Sequence, residues 1–102
     1  MENQEKSSQL AIELNEEVAQ GIYANLAIIT HSSSEFILDF VRIMPGIPKA
    51  SVKSRIVLAP EHAKRLLQAL EDNISKYENT FGMIRLSAEQ LLPPIPNLKG
   101  DA

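Results

Sequence analysis

The chain has 102 residues, of which 44% are apolar and 23% charged, and a formal net charge of -3. This length allows one hydrophobic core and excludes a large multidomain enzyme. The absence of cysteine excludes a disulfide framework, a thiolate zinc site and a cysteine nucleophile, so we expect a cytoplasmic protein.

Both ends of the chain differ in composition from its middle. Residues 1–8 are polar and predict a disordered N-terminal tail. Residues 83–102 form a proline-containing C-terminal tail, and its stretch 91–98 is either disordered or docks on a surface. A single domain is therefore expected over residues 9–82. No apolar run is long enough to predict a membrane span.

Four segments have the alternating pattern of β-strands. Residues 9–14 predict a short first strand, and residues 15–21 predict an acidic turn that ends in Gly21. Residues 22–31 and 35–44 predict a hairpin around Ser32, Ser33 and Ser34. Residues 51–58 alternate again after a loop framed by Pro45 and Pro48. The prediction is an antiparallel sheet of about four strands in meander order.

A loop of three serines sets the register of the predicted hairpin. It places His31 opposite Glu35 and Leu26 opposite Phe40, which collects the aromatic residues of the third strand on one apolar face. The opposite face mixes apolar and polar side chains. Its members of interest are Tyr23, Asn25, Ile29, Ile37, Asp39, Val41 and Ile43.

From Pro60 the spacing becomes helical, and it predicts one long helix over residues 60–81. Gly82 suits the position just after the helix. We expect the helix to pack on one sheet face, giving an α+β fold. At about 33 Å it exceeds an eight-residue strand of about 26 Å, so Tyr77 and Phe81 are expected to overhang the sheet. The apolar stripe consists of Ala63, Leu67, Leu70, Ile74, Tyr77 and Phe81.

The second sheet face is too apolar for a solvated surface and therefore predicts an interface. The expected assembly is a homodimer or a higher oligomer, formed through this face or the helix overhang. The alternative is that one of the chain ends folds across the face. Asn25 and Asp39 are diagonal neighbours in the predicted register, so a hydrogen bond between them could form; otherwise Asp39 meets a donor from a partner chain, or the face is wet.

The residues that could carry chemistry do not form a recognisable site. His31, Glu35 and the three serines include the groups of a hydrolase, but they lie at an exposed hairpin tip without an oxyanion-hole motif. His62 and Glu61 are too few to hold a metal. We therefore predict no catalytic residue, no metal, no cofactor and no small-molecule substrate.

A modest basic stretch contains Lys49, Lys53 and Arg55, with Arg42 as a further candidate. It could touch RNA or DNA, but the chain is acidic and this stretch lacks the interleaved aromatic residues that stack on bases. Nucleic-acid binding is therefore the third candidate function, after the two given at the end of this subsection.

The chain resembles a bacterial family of domains of unknown function over roughly residues 14–82. The shared segments include Tyr-Ala-Asn at 23–25, His-Ser at 31–32, Glu-Phe at 35–36, Asp-Phe at 39–40, His-Ala-Lys-Arg-Leu-Leu at 62–67, Lys-Tyr-Glu at 76–78 and Phe-Gly at 81–82. The resemblance implies a fold and no catalytic residue. In element order alone, strands followed by a long helix, the chain also resembles the export chaperone SecB.

The sequence thus predicts a small, non-enzymatic domain that associates with itself or with another protein. The alternative is a SecB-like holdase that binds extended apolar polypeptide segments.

Overall fold

The computed structural model describes residues 9–87, which form a short helix, three strands and a long helix. These are α1 (Glu16–Ala19), β1 (Leu26–His31), β2 (Phe36–Arg42), β3 (Ser51–Leu58) and α2 (Pro60–Phe81). The α+β class is confirmed, with three strands instead of about four. The predicted tail at residues 1–8 and the stretch 88–102, which includes the docking candidate at 91–98, lie outside the described residues.

The strands form one antiparallel sheet in the order β1-β2-β3. The meander order is therefore confirmed, and β3 has the predicted bounds. β2 pairs with both neighbours and is the central strand. A bulge interrupts its pairing with β3, because Phe40 lies opposite Ser54 whereas Val41 lies opposite Val52. Lys53 is the extra residue at this point.

The predicted strand at residues 9–14 is wrong, since this segment has no regular secondary structure and its apolar side chains are exposed. Alternation alone does not make a strand where no neighbouring strand offers hydrogen bonds. The following segment forms α1 instead of a turn. Asn15 caps this helix, and its Oδ1 accepts the Val18 N–H at 2.9 Å.

The register of the β1-β2 hairpin differs by one residue from the prediction. His31 lies opposite Phe36, and Leu26 lies opposite Val41. The loop has four residues, closed by the Ser32 N–H donating to the Glu35 carbonyl at 2.9 Å. The predicted loop has three residues, and one more residue in the loop shifts the pairing by one. Each face of β1 therefore lies beside the opposite face of β2 from the one predicted.

The observed register defines two faces of the sheet. The Phe face is named for Phe36 and Phe40, and the Asp face is named for Asp39. The Phe face carries Ala27, Ile29, His31, Phe36, Leu38, Phe40, Ser54, Ile56 and Leu58, and the Asp face carries Leu26, Ile28, Thr30, Ile37, Asp39, Val41, Val52, Arg55 and Val57.

Helix α2 has the predicted bounds, 60–81. Pro60 occupies the first turn, and Gly82 follows the helix with φ of 101°, in the region that glycine favours. Two ion pairs lie along its outer surface, Glu61 with Arg65 at 2.6 Å and Asp72 with Lys76 at 3.1 Å. These spacings of four residues support the helix locally.

The helix does not cover the sheet, contrary to the predicted packing on one face. None of its residues is buried, and its apolar stripe from Leu67 to Phe81 is 39–72% exposed. Among residues 9–87 only Leu38, Asp39 and Val41 are buried, and all three lie on the central strand. The core is therefore confined to β2.

Candidate interaction surface

The structure divides the predicted interaction face between the two sides of the sheet. Ile37, Asp39 and Val41 lie together on the Asp face, whereas Ile29 lies on the Phe face opposite Leu38. Tyr23, Asn25 and Ile43 lie outside the strands. The one-residue difference in register causes this division, because neighbouring residues of a strand point to opposite faces.

Asn25 extends the β1-β2 ladder beyond the end of the strands. Its Nδ2 donates to the Ile43 carbonyl at 3.0 Å, and its Oδ1 accepts the Ile43 N–H at 2.8 Å. The amide therefore satisfies both polar groups of Ile43, as a paired backbone would. The hydrogen bond between Asn25 and Asp39, one of the alternatives that the sequence left open, does not form, since both side chains have other partners.

Asp39 is paired with Arg55 across β2 and β3. The guanidinium donates from Nε to Oδ1 at 2.7 Å and from Nη2 to Oδ2 at 2.9 Å, which is a two-pronged contact. Asp39 is only 8% exposed, whereas most of the Arg55 side chain faces solvent. The pair places one oriented ionic contact in the middle of an otherwise largely apolar face. The sequence pattern places Arg55 in a basic stretch and does not reveal this role.

The contact with Arg55 shifts the ionisation of both groups. Hydrogen bonding from the guanidinium, helped by its charge, lowers the pKa of the Asp39 carboxyl, although burial acts in the opposite direction. The same contact raises the pKa of Arg55. Because the folded-state pKa of Asp39 is below its unfolded value of about 3.9, the pair stabilises the fold fully above that pH. This contribution is lost as the pH falls through the folded-state pKa.

Replacing Asp39 by Asn is therefore expected to flatten the acid dependence of stability. As the pH falls below about 4, the thermal unfolding midpoint of the native chain should decrease, partly because Asp39 takes up a proton. Asn cannot take up a proton in this way. Thermal unfolding followed by circular dichroism from pH 7 to pH 2 measures the effect. Asp72→Asn is the matched control, since Asp72 lies in an exposed ion pair. An Asp39→Asn profile that parallels the native profile would contradict the assigned role.

An open apolar hollow of about 490 Å³ lies between α1 and the Phe face. Val18 and Ile22 line it from one side, and Phe40, Ser54 and Ile56 line it from the sheet. Gly21, with φ of 79°, turns the chain between α1 and Ile22. The sequence pattern predicts a turn over residues 15–21, so it gives no sign of a hollow lined by the helix that forms there.

Tyr77 and Phe81, the predicted overhang, contact each other with their rings tilted by 46° and their centroids 4.9 Å apart. Both remain exposed. They belong to the stripe Leu67, Leu70, Ile74, Tyr77 and Phe81, so the unpartnered surface extends over most of the helix and exceeds the predicted overhang.

His31 and Glu35 do not form the expected cross-strand pair. The His31 ring stacks on Phe36 with centroids 5.3 Å apart, and the backbone of Glu35 closes the loop. The serines bond locally, with the Ser34 N–H donating to Ser32 Oγ at 3.2 Å. Within residues 9–87 there is no group of three or more His, Asp or Glu side chains placed to hold a metal ion.

The fold and surface define a small α+β domain with a minimal core and large apolar areas open to solvent. The chain belongs to the family described as "Protein of unknown function (DUF3467)", whose model matches residues 1–86. This confirms the resemblance to a family of domains of unknown function. No curated protein and no solved structure matches the chain. None of the helices in the part of the chain described here is long and apolar enough to cross a membrane.

Proposed function

We propose that this chain is a non-enzymatic protein-interaction domain that works as a homo-oligomer. The observation that carries the proposal is the contrast between its core and its surface. Within residues 9–87 the buried apolar residues are Leu38 and Val41, while apolar side chains on α2 and on the sheet remain open to solvent.

The size of the core supports self-association. Ordering the backbone of a sheet and a helix of 22 residues costs conformational entropy that the burial of apolar side chains has to offset. Within residues 9–87 none of the side chains of that helix is buried, and most apolar side chains of the sheet are only partly buried or exposed. A second polypeptide surface that covers the stripe and the sheet would supply the missing burial, as in obligate homodimers whose folding and association are inseparable.

Sedimentation velocity of the full chain at concentrations from about 1 to 100 µM tests the proposal. We expect a dimer or higher oligomer over this range, and we expect thermal stability to rise with protein concentration because association stabilises the folded state. A folded monomer whose unfolding midpoint does not depend on concentration would refute it.

The open hollow between α1 and the Phe face favours one second candidate, a SecB-like holdase. An extended apolar segment could lie against Phe40 and Ile56, which line the hollow from the sheet. Suppression of aggregation of a model protein at near-stoichiometric ratio distinguishes the two candidates. An oligomer that does not slow aggregation retains the first function and loses the second.

A further inference from the structure

Helix α2 does not cover its own sheet, and the connection that joins it to β3 is short. Only Ala59 lies between the two elements. Connections that return a helix over its sheet usually have about two to six residues. Ala59 is also held extended, with φ of -67° and ψ of 154°, because it precedes Pro60. Within residues 9–87 the stripe of α2 is therefore left uncovered.

The spacing of the stripe is that of a helix pair. Its members follow one another at alternating steps of 4 and 3 residues, so each consecutive pair of steps covers one heptad of seven residues. This period keeps one seam in contact with a second helix along its whole length, as in a two-stranded coiled coil. The seam residues are Ala63, Leu67, Leu70, Ile74, Tyr77 and Phe81.

We propose that the occupant of this seam is the α2 helix of a second copy, packed antiparallel around a two-fold axis level with residue 72. The inference rests on the proposed function and names the surface through which the chain associates. In this register the numbers of facing seam residues add up to 144, so all six residues of each helix have a partner. A shift by one heptad in either direction leaves seam residues uncovered.

The sizes of the seam residues favour the antiparallel arrangement. Ala63, the smallest, lies opposite Phe81 of the partner subunit, the largest apolar residue of the seam. Leu67 then faces Tyr77 of the partner subunit, and Leu70 faces Ile74 of the partner subunit. A parallel pair would instead set Ala63 against Ala63 of the partner subunit, leaving a gap, and would crowd two Phe81 rings together. Complementary sizes fill a core without voids or strain.

The charges beside the seam favour the same arrangement. Lys64, Glu71 and Glu78 follow the seam along one edge at steps of seven residues. In the antiparallel pair, Lys64 faces Glu78 of the partner subunit at both ends. The other ionic groups of the helix, Asp72 with Lys76 and Glu61 with Arg65, pair on the outer surface. The helix therefore carries complementary charge beside both ends of its seam, Glu71 beside its midpoint, and locally balanced charge away from it.

Single cysteines test the arrangement, because the native chain contains none. In the antiparallel pair Glu71 lies beside its own copy at the two-fold axis. Treating Glu71→Cys with a short bismaleimide should give a crosslinked dimer. The product should be lost for the control Asp72→Cys, which lies one position away on the outer surface.

A mixture of Lys64→Cys and Glu78→Cys chains should crosslink to each other, while neither variant should crosslink alone. In a parallel pair positions 64 and 78 are about 21 Å apart along the axis and the mixed product would not form.

A charge reversal gives a second measurement that does not depend on crosslinking. Lys64→Glu should weaken dimerisation about tenfold, because it faces Glu78 of the partner subunit at both ends. Lys76→Glu, on the outer surface, is the matched control. A dimer that forms without crosslinking at Glu71→Cys overturns the antiparallel helix pair and leaves the proposed function standing. A monomeric chain overturns both.

Discussion

Replacing Leu70 by Asp is expected to dissociate the assembly and to unfold the chain. Leu70 lies at the centre of the stripe and is 53% exposed in the single chain, so its burial depends on the partner helix. Each dimer loses two such side chains, about 3–6 kcal/mol together, which weakens association roughly 10²- to 10⁴-fold. Sedimentation velocity and circular dichroism on the same sample measure both effects.

The control for this prediction is Gln68→Asp, the same new side chain on the outer surface of the same helix. It should keep the native sedimentation coefficient and unfolding midpoint to within small changes, as exposed helix substitutions usually do. Should Leu70→Asp stay associated and folded like Gln68→Asp, the stripe would not be the surface that completes the fold.

The sequence predicted best those elements whose signals are local. Helix α2 carries its own start at Pro60, its own period and its own stop at Gly82, and its observed bounds agree with the prediction. Strand β3 likewise has the predicted bounds. In both, the residues that decide the structure lie within the element itself, so no knowledge of distant contacts was needed.

The register of the hairpin could not be predicted from the sequence, and the reason is physical. A register is well specified when one face is apolar and the other polar, since a slip then exposes the core. Here Ile29 and Leu38 make one face apolar, and Ile37 and Val41 make the other apolar. A loop of serines lacks the turn residues that would fix its length. Two registers therefore fit the pattern almost equally well.

The pairing of Asp39 with Arg55 could not be predicted from the sequence for two reasons. The two residues are 16 positions apart and are joined by a loop containing Pro45 and Pro48. Their alignment also depends on the bulge near Val41. The prediction that α2 packs on the sheet was wrong for a related reason. It followed from the apolar stripe and did not take into account that a single residue, Ala59, connects β3 to α2.

Replacing Val41 by Asp is expected to abolish folding at every protein concentration. Val41 is the most buried of the three core residues, 3% exposed, and lies on the Asp face near Asp39. A second carboxylate there would have no cation, because Arg55 already uses Nε and Nη2 on Asp39. An unpaired buried charge costs several kcal/mol, a large part of the 5–15 kcal/mol that stabilises a typical domain.

The matched control is Val57→Asp, the same change on the same face near the far end of β3. Val57 is 51% exposed in the single chain, so its carboxylate would reach water. Circular dichroism should show a folded Val57→Asp protein and an unfolded Val41→Asp protein. Loss of folding in both would mean that the assembly also covers the Val57 end of the Asp face, and a folded Val41→Asp protein would show that β2 is not the core. The pair of variants thus separates burial that the single chain supplies from burial that only the assembly supplies.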